Sequence, residues 1–191
     1  MKKILKYLVL RIPIIKDIIR TSGTAAPITM KTLFFQKILG INRNVKWPVH
    51  FSSVVTHPHN IKIGIGTAPG LSHGCYIQGG GKIEIGDYTI IAPNVGLISS
   101  NHDIYNYKNH IKGAISIGRY CWVGMNSSIM PNVKLGDHTI VAANSVVTKS
   151  FEEGFCVIGG NPARLIKHIE KDKCVEEKNK YEYYGYYEKT N

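Results

Sequence analysis

Six aliphatic residues recur at steps of six along the chain: Ile117, Val123, Ile129, Leu135, Val141 and Val147. Four places after each of the first five stands a small or β-compatible residue: Cys121, Ser127, Val133, Thr139 and Ser145. Gly118, Gly124, Gly136 and Ala142 directly follow four of the six. A period of six fits neither a 3.6-residue helix nor the two-residue alternation of a strand. It describes a parallel β-helix, in which each hexad forms one side of a triangular coil. An all-β core is therefore expected.

The repeat begins irregularly near Val54, with Ile65, Leu71 and Ile77 in period. A two-residue slip at GGGKIEIG resets it to Ile85, Ile91 and Leu97. Residues 98–114 hold no hexads. The register resumes at Ile117, twenty residues after Leu97 and so two more than three hexads. The intervening SSNHDIYNYKNHIKG reads as a loop thrown out from a corner, and loops on rigid scaffolds carry function more often than the scaffold does.

Residues 1–45 lie outside the repeat and mix apolar with basic residues. Ile4, Leu5, Leu8, Ile12, Ile15 and Ile19 stand near helical spacing, which Pro13 interrupts. This predicts a helical segment covering the first coil or a neighbouring subunit, with peripheral membrane attachment through residues 1–20 as its rival. No run of eighteen apolar residues occurs. Beyond Val147, CVIGGNPARLIKHIEK reads as a strand, a glycine turn and a capping helix, with Asn161 as N-cap and Pro162 in its first turn. The expected organisation is thus a helical segment 1–45, a β-helix 46–160 with its loop 98–114, a helix 161–173 and a tyrosine-rich tail 174–191. The tail reads as mobile or subunit-bound.

Hydrophobic content of 43% with 19% charged residues describes a soluble globular protein. Cys75, Cys121, Cys156 and Cys174 form no C-x-x-C pair and lack metal-ligand spacing, so they read as reduced structural thiols. No cleavable signal pattern opens the chain, and a cytoplasmic location, or the inner face of the membrane, is expected. A net charge of +11 suits an anionic partner, either a phosphate-bearing cofactor or a lipid head group. The repeat holds no basic block and no nucleic-acid reader motif, so no nucleic-acid partner is expected.

An ordered set of motifs adds specificity: NHD in the loop, W-V-G at the re-entry, VVTK on the last coil, then GNPAR. Over about residues 54–170 the chain resembles the hexapeptide-repeat acyltransferases. The likeness is strongest to the galactoside/maltose O-acetyltransferase branch and the related polysaccharide O-acetyltransferases. The resemblance implies a left-handed β-helix, assembly as a homotrimer, and acetyl-CoA-dependent transfer to a sugar or glycan hydroxyl without a metal. It places His102 as the general base, a task that suits imidazole because its ordinary pKa lies near neutral pH. It aligns Trp122, Ala143, Thr148, Lys149 and Arg164 with cofactor contacts, and Met125 departs from the small residue usual in the family. Gln78, Asn101 and Asp103 are the candidates for holding the acceptor. His57, His59, His73, His110 and His138 read as surface or turn residues, with His138 exposed.

Three other functions stay open: xenobiotic transfer of the chloramphenicol type, N-acetylation of an amino sugar, and a non-catalytic hexapeptide scaffold. A carbonic anhydrase on the same fold would need an H-x-x-x-x-H pair, whereas His102 and His110 stand eight apart.

Overall fold

The computed structural model describes residues 13–189. Three parallel sheets form the sides of a prism. Sheet A holds β1 (Val54–Thr56), β3 (Tyr76–Gln78), β6 (Gly96–Ile98), β11 (Ser128–Ile129) and β14 (Val146–Val147), in that order. Sheet B runs β2 (Ile61–Ile63), β4 (Lys82–Ile85), β9 (Ala114–Ile117) and β12 (Lys134–Leu135). Sheet C runs β5 (Ile90–Ile91), β10 (Trp122–Val123), β13 (Thr139–Val141) and β15 (Cys156–Gly160), with β16 (Ala163–His168) added at its edge. The architecture is a left-handed parallel β-helix.

The repeat residues form its core. Ile117 pairs with Leu135, Val123 with Val141 and Ile129 with Val147, each one full turn later. All six are buried, as are the five small residues of the sequence pattern. The small polar residues serve the corners, where backbone groups leave the ladder. Ser127 Oγ donates to Ala142 O at 3.0 Å and accepts from Ser145 N at 3.2 Å. Thr89 Oγ1 likewise donates to Gly118 O at 2.7 Å and accepts from Cys121 N at 3.1 Å. Gly124 is required by close approach, since a Cβ there would strike Ala143 N and Val141 O in the next turn.

The early register differs from the hexad reading. Ile63, rather than Ile65, pairs with Ile85. Ile65 lies in the following corner, where its N–H donates to Asp87 Oδ1. The interruption is also larger than the count to Ile117 suggested. Leu97 pairs with Ile129 and Ile85 with Ile117, so Leu97 and Ile117 occupy adjacent sides of one turn. One hexad would span them, so fourteen residues are inserted, not two. Counting in multiples of six from Leu97 hid this, because fourteen is close to two sides of a coil.

The segment 161–173 is not a helix. Gly160, at φ +98°, reverses the chain, and Ala163–His168 returns as β16 antiparallel to β15. The open edge of β15 offers a row of backbone partners. A helix of this length has little stability of its own to compete with them. Only Lys171–Lys173 forms a short 3-10 turn.

The tail is folded onto the body. Tyr183–Tyr184 (β17) and Tyr187–Glu188 (β18) form a hairpin against the first coil and the N-terminal segment. That segment contains α1 (Pro13–Thr21) and α2 (Met30–Leu33), the latter continued by a π-helical turn at Phe34–Ile38. Pro13 lies within a helix rather than in a break, and the expected helical positions Ile4 to Ile12 lie outside the described residues. Tyr183 Oη donates to Asp17 Oδ1 at 2.8 Å, and Glu188 accepts from Lys16 and Arg20. Fully buried Gln36 joins three parts of the chain: Nε2 donates to Trp47 O, while Oε1 accepts from Val49 N and Tyr186 Oη.

Between this hairpin and β16 the tail crosses an aromatic ladder. Tyr88, Tyr120, His138 and Phe155 share positive φ and stack at centroid spacings of 5.2, 5.2 and 4.8 Å. His138 is therefore buried rather than exposed, because Phe155 and Tyr120 sandwich its ring and Glu176 meets its Nε2 at 3.1 Å.

Candidate active site

The inserted segment is a β-hairpin, β7 (Ser100–His102) and β8 (His110–Lys112), projecting from the edge between sheets A and B. Asp103 shapes its turn, accepting from Tyr105 N at 2.7 Å and Asn106 N at 3.2 Å. At its base Gln78 Oε1 accepts from Ser100 N at 3.0 Å. Asp103 and Gln78 therefore both position the hairpin, and Asn101 stands exposed opposite Ile111.

His102 Nδ1 lies 2.5 Å from Tyr107 O. A carbonyl only accepts, so Nδ1 carries a proton, and in the neutral imidazole Nε2 is the nitrogen that holds the lone pair. The ring is exposed, with that lone pair directed away from the bond that orients it. His110 pairs directly across the hairpin, its ring 4.4 Å away at 75°. Among the described residues, no third His, Cys, Asp or Glu joins them in a metal-binding group. Sequence reading missed this pairing, although His102 and His110 stand symmetrically about Asn106, as a hairpin requires.

The remaining candidates divide between two edges of the prism. Thr148 and Lys149 follow β14 and are exposed on the A–B edge, the same edge that carries the hairpin. Trp122 is half exposed on sheet C, and Ala143 is exposed at the C–A edge, with Met125 one turn before it. Arg164 is exposed on β16, its Nη1 donating to Ala163 O at 3.1 Å. One chain thus brings His102, Thr148 and Lys149 to the A–B edge, while Trp122 lies on sheet C and Ala143 at the C–A edge.

No cysteine is poised for nucleophilic work within the coil. Burial pushes the Cys121 thiol up to about 11 and raises Cys75 and Cys156 as well. Burial also opposes ionisation of Asp137, but hydrogen bonds from Arg119 N and its guanidinium outweigh it and hold the carboxyl below its usual value.

Prism and repeat together define a hexapeptide-repeat protein carrying an edge histidine, and comparison with known proteins agrees. Residues 114–149 match the model of the bacterial transferase hexapeptide (six repeats). A galactoside O-acetyltransferase of Escherichia coli (strain K12) is 34% identical over 140 residues, covering 71% of this chain and 66% of that protein. A maltose O-acetyltransferase from Clostridium difficile 630 superposes with a TM-score of 0.61 at 23% identity, covering 83% and 89% of the two chains. A galactoside acetyltransferase in complex with coenzyme A gives 0.61 at 23%, covering 88% of each. The chain belongs to the hexapeptide-repeat acyltransferases. It spans about half the length of the first curated relatives it matches.

Proposed function

We propose that the protein transfers acetyl from acetyl-CoA directly to a sugar or glycan hydroxyl, with His102 as general base. The observation that carries this reading is the bond from His102 Nδ1–H to Tyr107 O, which leaves Nε2 as acceptor on an exposed ring. An acetyl thioester supplies an already activated carbonyl, so the protein's task is to take the hydroxyl proton as the acceptor attacks. Nε2 receives that proton, and the imidazolium stays oriented by the same carbonyl. The thiolate that leaves can take the proton back.

The coenzyme-binding residues suit a long, thin ligand ending in phosphates. Trp122 offers a half-exposed ring on sheet C and Ala143 an exposed position at the C–A edge, while Lys149 on the A–B edge and Arg164 on β16 supply exposed cations. Met125 is exposed next to this track and narrows it. Coenzyme A in the related galactoside acetyltransferase structure supports the same cofactor here.

The division of candidates between two edges supports a homotrimer, in which the hairpin edge of one protomer meets the Trp122 face of the next. Ile104, Tyr105 and Tyr107 are exposed at the hairpin tip, as a segment reaching toward a neighbour would be. The inner face of the membrane belongs to the same reading. Ile14 and Ile19 are exposed on α1, although Lys16 and Arg20 already pair with Glu188. No helix among the described residues is long and apolar enough to cross a bilayer.

Thiol release from acetyl-CoA with a panel of mono- and oligosaccharides tests the function. Acceptor-dependent release that saturates with sugar is expected. Release with no sugar above background, but with a macrolide or chloramphenicol, transfers the assignment to xenobiotics.

A further inference from the structure

We infer that the face of sheet B beside the hairpin is a binding groove for an acidic glycan, with carboxylate-bearing sugars as the ligand class. The inference rests on the sugar-acetyltransferase reading for its chemistry, while the binding it describes stands without it. Three cavities lie along this face, two of which adjoin at His59. One of this pair, of about 470 Å³, is lined by His59, Lys62, Lys82, Glu84 and Lys112 among others. The other, of about 510 Å³, is lined by Lys46, Trp47, His59, Tyr184 and Tyr187 among others. Both include His59 and Ile61, so they join into one trough from the hairpin base to the C-terminal hairpin.

The lining has the chemistry of an acidic carbohydrate site. Lys46, Lys62, Lys82 and Lys112 are all exposed, and of these only Lys82 meets an acid in the trough, Glu84 at 3.0 Å. Lysine ammonium groups on flexible stems suit carboxylates repeated at sugar spacing, where no single planar geometry recurs. Tyr184 and Tyr187 present half-exposed and exposed rings, which stack on the apolar faces of sugars and keep a polar edge in water.

The trough also leads to the candidate base. Ser100 pairs with Lys112 and His102 with His110, and residues two apart on a strand share a face. Lys112 therefore projects from the same side of the hairpin as His102, about 7 Å along the strand from His110. A polymer held by Lys62 and Lys112 runs toward His102. The tyrosines that close the far end come from the tail, 37 and 40 residues after Val147.

The test is calorimetric binding to the full chain without acetyl-CoA, using hexagalacturonate as the acidic probe and maltohexaose as the neutral one. Hexagalacturonate is expected to bind at least about tenfold more tightly, and Lys62→Gln/Lys112→Gln to remove about tenfold of that preference while leaving maltohexaose unchanged. Tyr187→Ala is expected to weaken both probes. A control pair of equal charge on another surface, Lys167→Gln/Lys173→Gln, is expected to have little effect. Equal binding of the two probes, equal loss in the control pair, or equally tight binding of a single-stranded oligonucleotide at the same residues overturns the groove. Thiol release with small sugars is read separately. Transfer that persists while the groove variants change no affinity sinks the groove alone, and groove binding without transfer to any sugar sinks the transferase reading alone.

Discussion

At the scale of single residues, His102 owes its orientation to one main-chain carbonyl, so its chemistry should be separable from its fold. His102→Ala is expected to reduce kcat at least about a hundredfold, the usual worth of a general base. The variant should keep the same sedimentation profile as the parent, and near-parental kcat would remove His102 from the mechanism. Asp137 makes a pH prediction. Its folded-state pKa lies below the ordinary 3.8, so its contribution is complete above that value and is lost as pH falls through the lowered one. Asp137→Asn should therefore lower Tm at neutral pH and narrow its gap to the parent as the solution becomes acidic. Melting curves across that range, showing a gap independent of pH, would count against the Arg119 pairing. The thiols follow burial: maleimide should label Cys174 quickly and Cys75, Cys121 and Cys156 only on unfolding.

Among elements, the tail and the N-terminal segment depend on each other. Gln36 is fully buried with partners from the first coil and the tail, so removing its amide strands Val49 N, Trp47 O and Tyr186 Oη together. Gln36→Leu should destabilise the fold by about 2–3 kcal/mol, since each orphaned group carries a desolvation cost. Urea denaturation measures it, and a loss within error of zero would mean water replaces the amide. The same logic explains β16. Its residues satisfy an edge that a helix would have left open, and intrinsic propensity decides little where a row of unpaired backbone groups lies alongside.

For the whole molecule, the decisive point is that one chain carries its candidate residues on two edges. If neighbouring protomers complete each site, a mixture of His102→Ala and Trp122→Ala chains must regain activity that neither has alone. Random reassembly into a threefold ring would restore about a quarter of the sites. Denaturing, mixing and refolding the two variants measures this. No activity above the separate variants would place His102 and Trp122 in one protomer's site or remove Trp122 from it.

The repeat made the prism legible because its signal is local and periodic: Ile117 to Val147 each fill one side, and the glycines and serines between them mark corners. The break in period set NHD apart as a loop, and the resemblance of that motif to the family's made His102 the candidate base. What the period could not carry was anything decided by distant chain meeting distant chain. His110 beside His102 depends on hairpin register. The buried His138 and the pairing of Tyr183 with Asp17 depend on a tail that returns along the whole coil. The strand at Ala163–His168 depends on an edge that exists only after β15 has formed. Thus the sequence by itself determined the coil, through contacts one turn apart, and offered its catalytic candidate through the resemblance of its NHD motif. Only the tertiary structure decided which edge each candidate occupies, because that follows from where fourteen inserted residues and a folded-back tail come to rest.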